Sequence, residues 1–476
     1  MPGSSSGLIV FRISSRVGTA RWLLHGDNIP RSSLKLAIGG LVGLATFFDL
    51  GSETARSQAP NELVQLPVCS ADKAVSDALK GICEVTTLPS GRNRVQVNLA
   101  ARTEKIEVGG YGVVTENYNG SYLSPVAEAI PGDTVAARLE NQLRPREPSD
   151  GHSHGPAAEN PTNLHYFHGG IVTPNNARPP DDASKGNGDN IYVYLKRSDT
   201  PFTYDVPIPH ELDARVLEQT GVIPHPNGLN WYHSHLHGRS SDQVMGGLSG
   251  LLSVGDAKAN VVACKPNPAD PTKCLNDVDA NTELKARTDV RYALLRDIAL
   301  KNITALPIAA GDKSADWAPE DKDWKQKLGE CKVWLGAGGQ GIEDAKHRLG
   351  YCQREESKAW LFTLNGQRFP TITVDGGRNV LLRLGNLSAN VVYWLELQNK
   401  DDETDILPLT LLSVDGVVPS KTVDVTAPDL PVRAFPVKDL LLMPASRAEI
   451  YVRNDWRHPE PKTYVLRTKG LIVDRI

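Results

Sequence analysis

Three things are scarce in this sequence, and each scarcity excludes a class of function. Basic charge has no surplus, with 52 Lys and Arg against 56 Asp and Glu and a formal net charge of −4. A protein built to hold a phosphate backbone carries the opposite balance, so a dedicated nucleic-acid binder is not expected. Long apolar runs are missing. Residues 36–48 form an apolar run of 13, short of the roughly 18 needed to cross a bilayer. Cysteine is sparse, and none of the six falls in a Cys-x-x-Cys pair, which argues against a zinc knuckle or a thioredoxin-type site.

What is present describes a β protein. The 476 residues are 40% hydrophobic and 23% charged, a globular composition with room for two large β domains or three ordinary ones. With 41 Gly and 33 Pro, turns outnumber long helices. Residues 94–99 alternate apolar and polar as a half-buried strand does. The turn signals Tyr118-Asn119-Gly120-Ser121 and Pro131-Gly132-Asp133 come next, then another strand over 134–139. Short strands punctuated in this way predict a β-sandwich or barrel.

Residues 144–163 read as an exposed loop. Residues 255–287 lose periodicity around Pro266, Pro268 and Pro271, as a linker or insertion does. Strand patterning resumes at 289–296. After a charged insertion over 311–357 it runs to about residue 473, with turns at Asn365-Gly366, Asp375-Gly376-Gly377 and Asp415-Gly416. Asn119-Gly120 followed by Pro131-Gly132-Asp133 resembles Asn365-Gly366 followed by Asp375-Gly376, which suggests a duplicated β domain. The expected division is 1–59 leader, 60–256 first domain, 257–287 linker or insertion, and 288–476 second domain.

The leader expectation rests on the apolar run 36–48. Arg31 and Lys35 precede it, Asp49 ends it and Ser57-Gln58-Ala59 comes after it, the layout of a secretory signal peptide cleaved after about Ala59. The competing reading is a buried core segment. The cysteines, at 69, 83, 264, 274, 331 and 352, fall into three local pairs. In an exported chain they are expected as disulfides 69–83, 264–274 and 331–352. Fifteen pairings are formally open, as is a set of free buried thiols.

Nine of the twelve histidines fall between His152 and His237. The densest group is Trp231-Tyr232-His233-Ser234-His235-Leu236-His237-Gly238. Strand positions i and i+2 share a face, so His233 and His235 would aim two imidazoles at one point. Imidazole suits copper, zinc, iron and nickel. The second group is His165-Tyr166-Phe167-His168-Gly169-Gly170. Its spacing of three sends the two side chains of a regular strand to opposite faces, and a one-residue β-bulge would bring them back together. His152 and His154 read as solvated loop residues, and His210 and His225 as loop residues near the site.

These stretches resemble the multicopper oxidases, the laccase-like family of linked cupredoxin domains. Asn119-Gly120 to Leu139 is similar to the opening of the family's first domain. Residues 162–170 resemble its first His-x-His-Gly motif. Residues 231–238 with Gln243 to Leu251 resemble its second His-x-His motif and the Gly-Leu-x-Gly strand after it. The resemblance covers most of residues 100–470. It implies an all-β chain of two tandem cupredoxin-like Greek-key β-sandwich or barrel domains with loop insertions. It also implies copper as the cofactor, with His165 at a type 2 position and His168, His233 and His235 at a type 3 pair. The implied chemistry is reduction of dioxygen to water at the expense of a small reductant, a phenol or a metal ion, in an exported protein.

Two departures qualify this. The first is the extra residue between His165 and His168. The second lies beyond His237, where only His347 and His458 occur and no cysteine is flanked by histidine. The family's type 1 site and the other half of its copper cluster are therefore not expected here. Three readings remain: an oxidase completed by a further domain or a partner chain, an exported copper-binding protein without turnover, and an inactive truncated remnant. With three methionines in the chain, a Met-rich copper loop is not expected.

Overall fold

The structure, a computed structural model, describes residues 6–13, 61–109, 111–145, 159–172, 174–175, 188–210, 225–277, 282–301, 358–368, 370–389, 391–418, 423–424, 432–454 and 462–468. In chain order the strands begin with β1 (Ser6–Ile13), β2 (Val68–Ser70), β3 (Cys83–Thr87), β4 (Asn93–Val108), β5 (Tyr111–Tyr118), β6 (Val126–Ala129) and β7 (Thr134–Gln142). They continue with β8 (His165–His168), β9 (Phe202–Pro207), β10 (Gly228–His233), β11 (Ser249–Val254), β12 (Cys264–Asn267), β13 (Asp270–Asp277) and β14 (Thr288–Lys301). Next come β15 (Lys358–Leu364), β16 (Thr371–Val374), β17 (Asn379–Asn386), β18 (Tyr393–Asn399), β19 (Ile406–Leu407) and β20 (Leu409–Val414). The last are β21 (Val423–Asp424), β22 (Val432–Arg433), β23 (Phe435–Val437), β24 (Leu440–Leu442), β25 (Arg447–Arg453) and β26 (Lys462–Thr468).

Two sheets form the first sandwich. One runs β3-β4-β7-β9 with β5 also on β4, and the other runs β2-β6-β11-β10-β8. The alternation over 94–99 is the inward face of β4, with Val95, Val97 and Leu99 buried and facing Val135, Ala137 and Leu139 of β7 in parallel register. These side chains share one core with Tyr166, Tyr232, Leu252 and Val254 of the opposite sheet. The Tyr166 hydroxyl crosses that core to donate to the Ala136 carbonyl at 2.9 Å, giving a buried phenol its partner. The Cys69–Cys83 disulfide ties β2 to β3, and so one sheet to the other. Cys264 is also disulfide-bonded, while Cys331 and Cys352 lie outside the described residues.

The second sandwich pairs sheet β15-β14-β17-β25-β20-β23 with sheet β16-β1-β26-β18-β19, to which β24 adds on β18. Its core includes Leu295, Leu382, Leu384, Leu395, Ile450 and Leu466. The expectation that residues 1–59 stand apart from the fold is corrected for one stretch. β1 lies between β16 and β26, parallel to the first and antiparallel to the second. An apolar, β-branched octapeptide satisfies its backbone by filling that slot. The apolar run 36–48 lies outside the described residues, as does the insertion 311–357. The expected linker is partly regular, carrying the hairpin β12-β13 and a short helix Thr282–Ala286.

The suspected duplication is visible in hydrogen bonds. Asn119 has φ +57° and Asn365 φ +50°, each followed by a glycine with positive φ. The Asn119 side chain accepts from the Ala100 amide at 2.8 Å and donates to the Asn98 carbonyl at 2.9 Å. Asn365 accepts from the Leu294 amide at 2.7 Å and donates to the Tyr292 carbonyl at 2.9 Å. Each asparagine thus pins its turn to the first long strand of its own sandwich. An apolar cluster of Leu229, Trp231 and Leu251 with Tyr292, Leu294 and Leu387 joins the two units. Beside it the buried Arg383 guanidinium pairs with Glu449 at 2.7 Å and donates to the Ser253 and Tyr292 hydroxyls. Tyr292 in turn donates to Glu128 at 2.7 Å.

Candidate metal centre

The site grows from the pairing of β8 with β10. Trp231 faces His168 and His233 faces His165, so two steps along β10 span three along β8. That register shift is the one-residue bulge the histidine spacing requires. Tyr166 and Phe167 both turn into the core, and both histidines turn out of it. One ligand atom from each of His165, His168 and His233 lies within 4.8 Å of the others. Nδ1 of His168 stands 3.0 Å from Nε2 of His233. Trp231, two residues before His233 on the same strand face, stacks on that imidazole with ring centroids 3.9 Å apart.

His235 joins the group by a different route from the expected strand alternation. β10 ends at His233, and His235 sits in the irregular stretch that follows, its backbone amide donating to Asn163 Oδ1 at 2.9 Å. Its ring lies 5.5 Å from that of His233 and 5.4 Å from that of His165, and it is exposed. All four sequence-predicted histidines therefore meet at one place. His237 is exposed and outside the three-histidine group. His225 is buried, stacked on Phe167 at 5.0 Å, with Nδ1 against the Pro226 carbonyl at 2.8 Å. His152 and His154 lie outside the described residues.

The electrostatics favour ligation. Burial, then the nearby His235, pushes His165 down to about 4. Burial, followed by His165 and the Arg447 guanidinium, pushes His168 down to about 4 as well. Burial holds His233 well below the usual imidazole range. Neutral imidazoles are what a metal ion needs, because ligation and protonation compete for the same lone pair. His233 Nδ1 lies 2.7 Å from the Ser234 carbonyl. That nitrogen must therefore carry the proton, which leaves Nε2 with a free lone pair. Nδ1 of His165 is buried with no hydrogen-bond partner. Two nitrogens on one ion at about 2.0–2.1 Å lie about 3 Å apart when cis, the separation seen between His168 and His233. The donor set fits a metal that accepts imidazole.

Several supporting residues gave a weak signal in the sequence or none. Asp189 accepts the amides of Tyr166 and Phe167 at 2.9 and 3.0 Å, satisfying the two amides of the bulge. One of its oxygens also lies 3.3 Å from His165 Nε2. Burial raises its pKa against the pull of those amides. Its only sequence cue was a turn-like Gly188-Asp189-Asn190. Gly169 takes φ +93°, and a Cβ there would run into the Arg447 guanidinium and crowd Asn230. Gly250 faces Tyr232 across β10-β11, and a Cβ there would strike the phenol ring. The glycine after Gly-Leu-Ser thus makes room for the residue next to His233.

No family model matches the chain. Among curated proteins, Laccase-1 of Thanatephorus cucumeris is 26% identical over 265 residues, 54% of this chain and 36% of the relative. The chain therefore spans little more than a third of that relative's length. Among solved structures, a multi-copper oxidase from Pediococcus acidilactici aligns at 15% identity and a TM-score of 0.46, over 87% of this chain and 59% of that one. A multi-copper oxidase from Pseudomonas thermotolerans aligns at 18% identity and a TM-score of 0.39, over 76% and 58%. In its laccase relative and in the histidines it brings together, this chain is similar to the laccase-like multicopper oxidases.

Proposed function

We propose that the chain holds copper on His165, His168, His233 and His235, as the first-domain half of a site that reduces dioxygen to water while a small reductant, a phenol or a metal ion, is oxidised. The observation that carries this is the convergence of His165, His168 and His233 donor atoms within 4.8 Å. His165 takes the type 2 position, and His168, His233 and His235 the type 3 positions. Bound copper supplies the one-electron chemistry toward dioxygen. The chain's own residues keep the imidazoles neutral by burial, and fix the His233 tautomer through the Ser234 carbonyl. Asp189 stays within reach of His165 Nε2.

Electron entry and the remaining ligands come, in this reading, from a further domain or a partner chain. A narrower reading, copper binding without turnover by this chain alone, draws support from one fact. Cys69, Cys83 and Cys264 are each disulfide-bonded, so none of them offers a thiolate. The Cys69–Cys83 bridge also supports export to an oxidising compartment. An apolar core drawn from residues 69–254 supports the first unit of the proposed division, while the core of the second takes in Leu63 besides residues 293–466.

The test is copper titration of the purified full chain, followed by electron paramagnetic resonance. Stoichiometric copper that is lost in the double variant His233→Ala, His235→Ala supports the copper reading. No copper retained at micromolar concentration overturns it. Oxidase turnover appearing only when a His-Cys-His-bearing domain is added separates the wider reading from the narrower.

A further inference from the structure

The two histidine segments come from stretches of chain more than sixty residues apart, and little regular pairing holds them. β8 meets β10 at two residue pairs. Besides the His235 amide on Asn163 Oδ1, a fully buried amide joins them, Gln243, at 0% exposure. It sits in the short helix Ser240–Gly246, just after the second histidine motif.

Its Oε1 accepts the hydroxyl of Ser234, the residue between His233 and His235, and that of Thr162 at 3.1 Å. Its Nε2 donates to the Pro161 carbonyl at 2.9 Å and to Asn160 Oδ1 at 3.5 Å. A primary amide has two lone pairs and two N–H bonds, and all four are used here. Three contacts reach the chain leading into His165 and one reaches the loop between His233 and His235. Asn160 in turn donates to Glu116 Oε1 at 2.7 Å, which anchors the junction to β5.

We propose that Gln243 is the positioning residue of the centre, setting the separation of the two histidine segments before any metal arrives. The requirement is for an amide and not only for its volume. A glutamate of the same shape would keep an acceptor toward Ser234 and Thr162, but would oppose an oxygen to Pro161 and Asn160, two acceptors. A methionine would fill the space and satisfy none of the four. The metal-binding consequence rests on the copper reading above; the positioning itself does not.

The experiment uses the full chain with Gln243→Glu and Gln243→Met, metal-free and with Cu(II). In the metal-free protein, amide hydrogen exchange over 160–168 and 233–236 is expected to speed up at least tenfold in both variants, with β4 and β7 unchanged. Copper affinity is expected to fall about 10–100-fold, the usual cost of losing a group that orients ligands, with a changed copper hyperfine pattern. Exchange at wild-type rates in Gln243→Glu overturns the proposal. Where Gln243→Met fails to fold, Ser234→Ala removes one arm of the junction, and unchanged exchange at 234–236 overturns the proposal equally. A wild-type chain that takes no copper defeats the functional reading, while the metal-free exchange still decides the role of Gln243.

Discussion

Asp189 reaches the bulge of β8 with both carboxylate oxygens, one on the Tyr166 amide at 2.9 Å and the other on the Phe167 amide at 3.0 Å. The bulge leaves two adjacent amides without ladder partners, and the carboxylate takes them. Asp189→Ala strands both as buried donors, which costs about 2–4 kcal/mol. Urea unfolding of the metal-free chain should show that loss, and copper affinity should fall by about tenfold or more. Wild-type stability would mean that the bulge holds its own shape.

Gly169 follows His168 directly and takes φ +93° with Arg447 against it. The guanidinium belongs to β25 of the second sandwich. It also donates to the Leu229 carbonyl of β10 at 3.0 Å and the Ala445 carbonyl at 2.8 Å. Gly169→Ala adds a strained backbone, about 1–2 kcal/mol, and a displaced cation. The expected result is a stability loss of about 2–3 kcal/mol, read by denaturant midpoint. Arg447→Met combined with Gly169→Ala should recover part of the loss if the clash contributes, and none if backbone strain is the whole of it.

The sequence made the strands legible wherever one face met a core, as in β4 and β7, because alternation records which side is buried. It made the histidines legible because their density exceeds any packing need. The bulge could be anticipated from the spacing of His165 and His168, since a regular strand cannot converge them. The polar residues that hold the four histidines together were only partly legible, Gln243 as a member of the second motif and the others not at all. Asp189, Asn163 and Gln243 are ordinary polar residues whose roles depend on long-range contacts. Asp189 lies more than twenty residues from the amides it satisfies, and Gln243 more than eighty from Thr162. His235 lies beyond the end of β10, so the Asn163 side chain on its amide, and not strand alternation, brings its ring beside the others. β1 was missed because nothing local in an apolar octapeptide says which distant sheet it will enter.

β1 carries its own prediction. It pairs with β16 on one side and β26 on the other, so a chain lacking residues 6–13 exposes two unsatisfied strand edges inside one sheet. Such edges recruit other chains. Size-exclusion chromatography of the deletion variant should show self-association, and its thermal unfolding should lose cooperativity. A monomer with an unchanged melting temperature would place β1 outside the stable fold.

Asp297 gives the protein a pH-dependent weakness of defined sign. It is 1% exposed, and burial pushes its carboxyl up to about 6, against the Ser388 hydroxyl and the backbone amides of Asp297 and Ala389. The unfolded chain ionises near its ordinary value of about 3.9. Below about pH 4 both states are protonated and the group is neutral to stability. Between about pH 4 and 6 the unfolded state loses its proton first, so stability falls as pH rises. Above about pH 6 the loss is complete, at about 3 kcal/mol, because each tenfold difference in proton affinity between the two states is worth about 1.4 kcal/mol. Asp297→Asn keeps the shape and cannot ionise. It should match the parent near pH 4 and exceed it by about 2–3 kcal/mol at about pH 8, measured as the difference in urea unfolding free energy between the two proteins. Subtracting one protein from the other at each pH cancels the remaining titrations, including those of the histidine centre. A difference that stays constant across that pH range would show that Asp297 keeps an ordinary pKa in the folded chain.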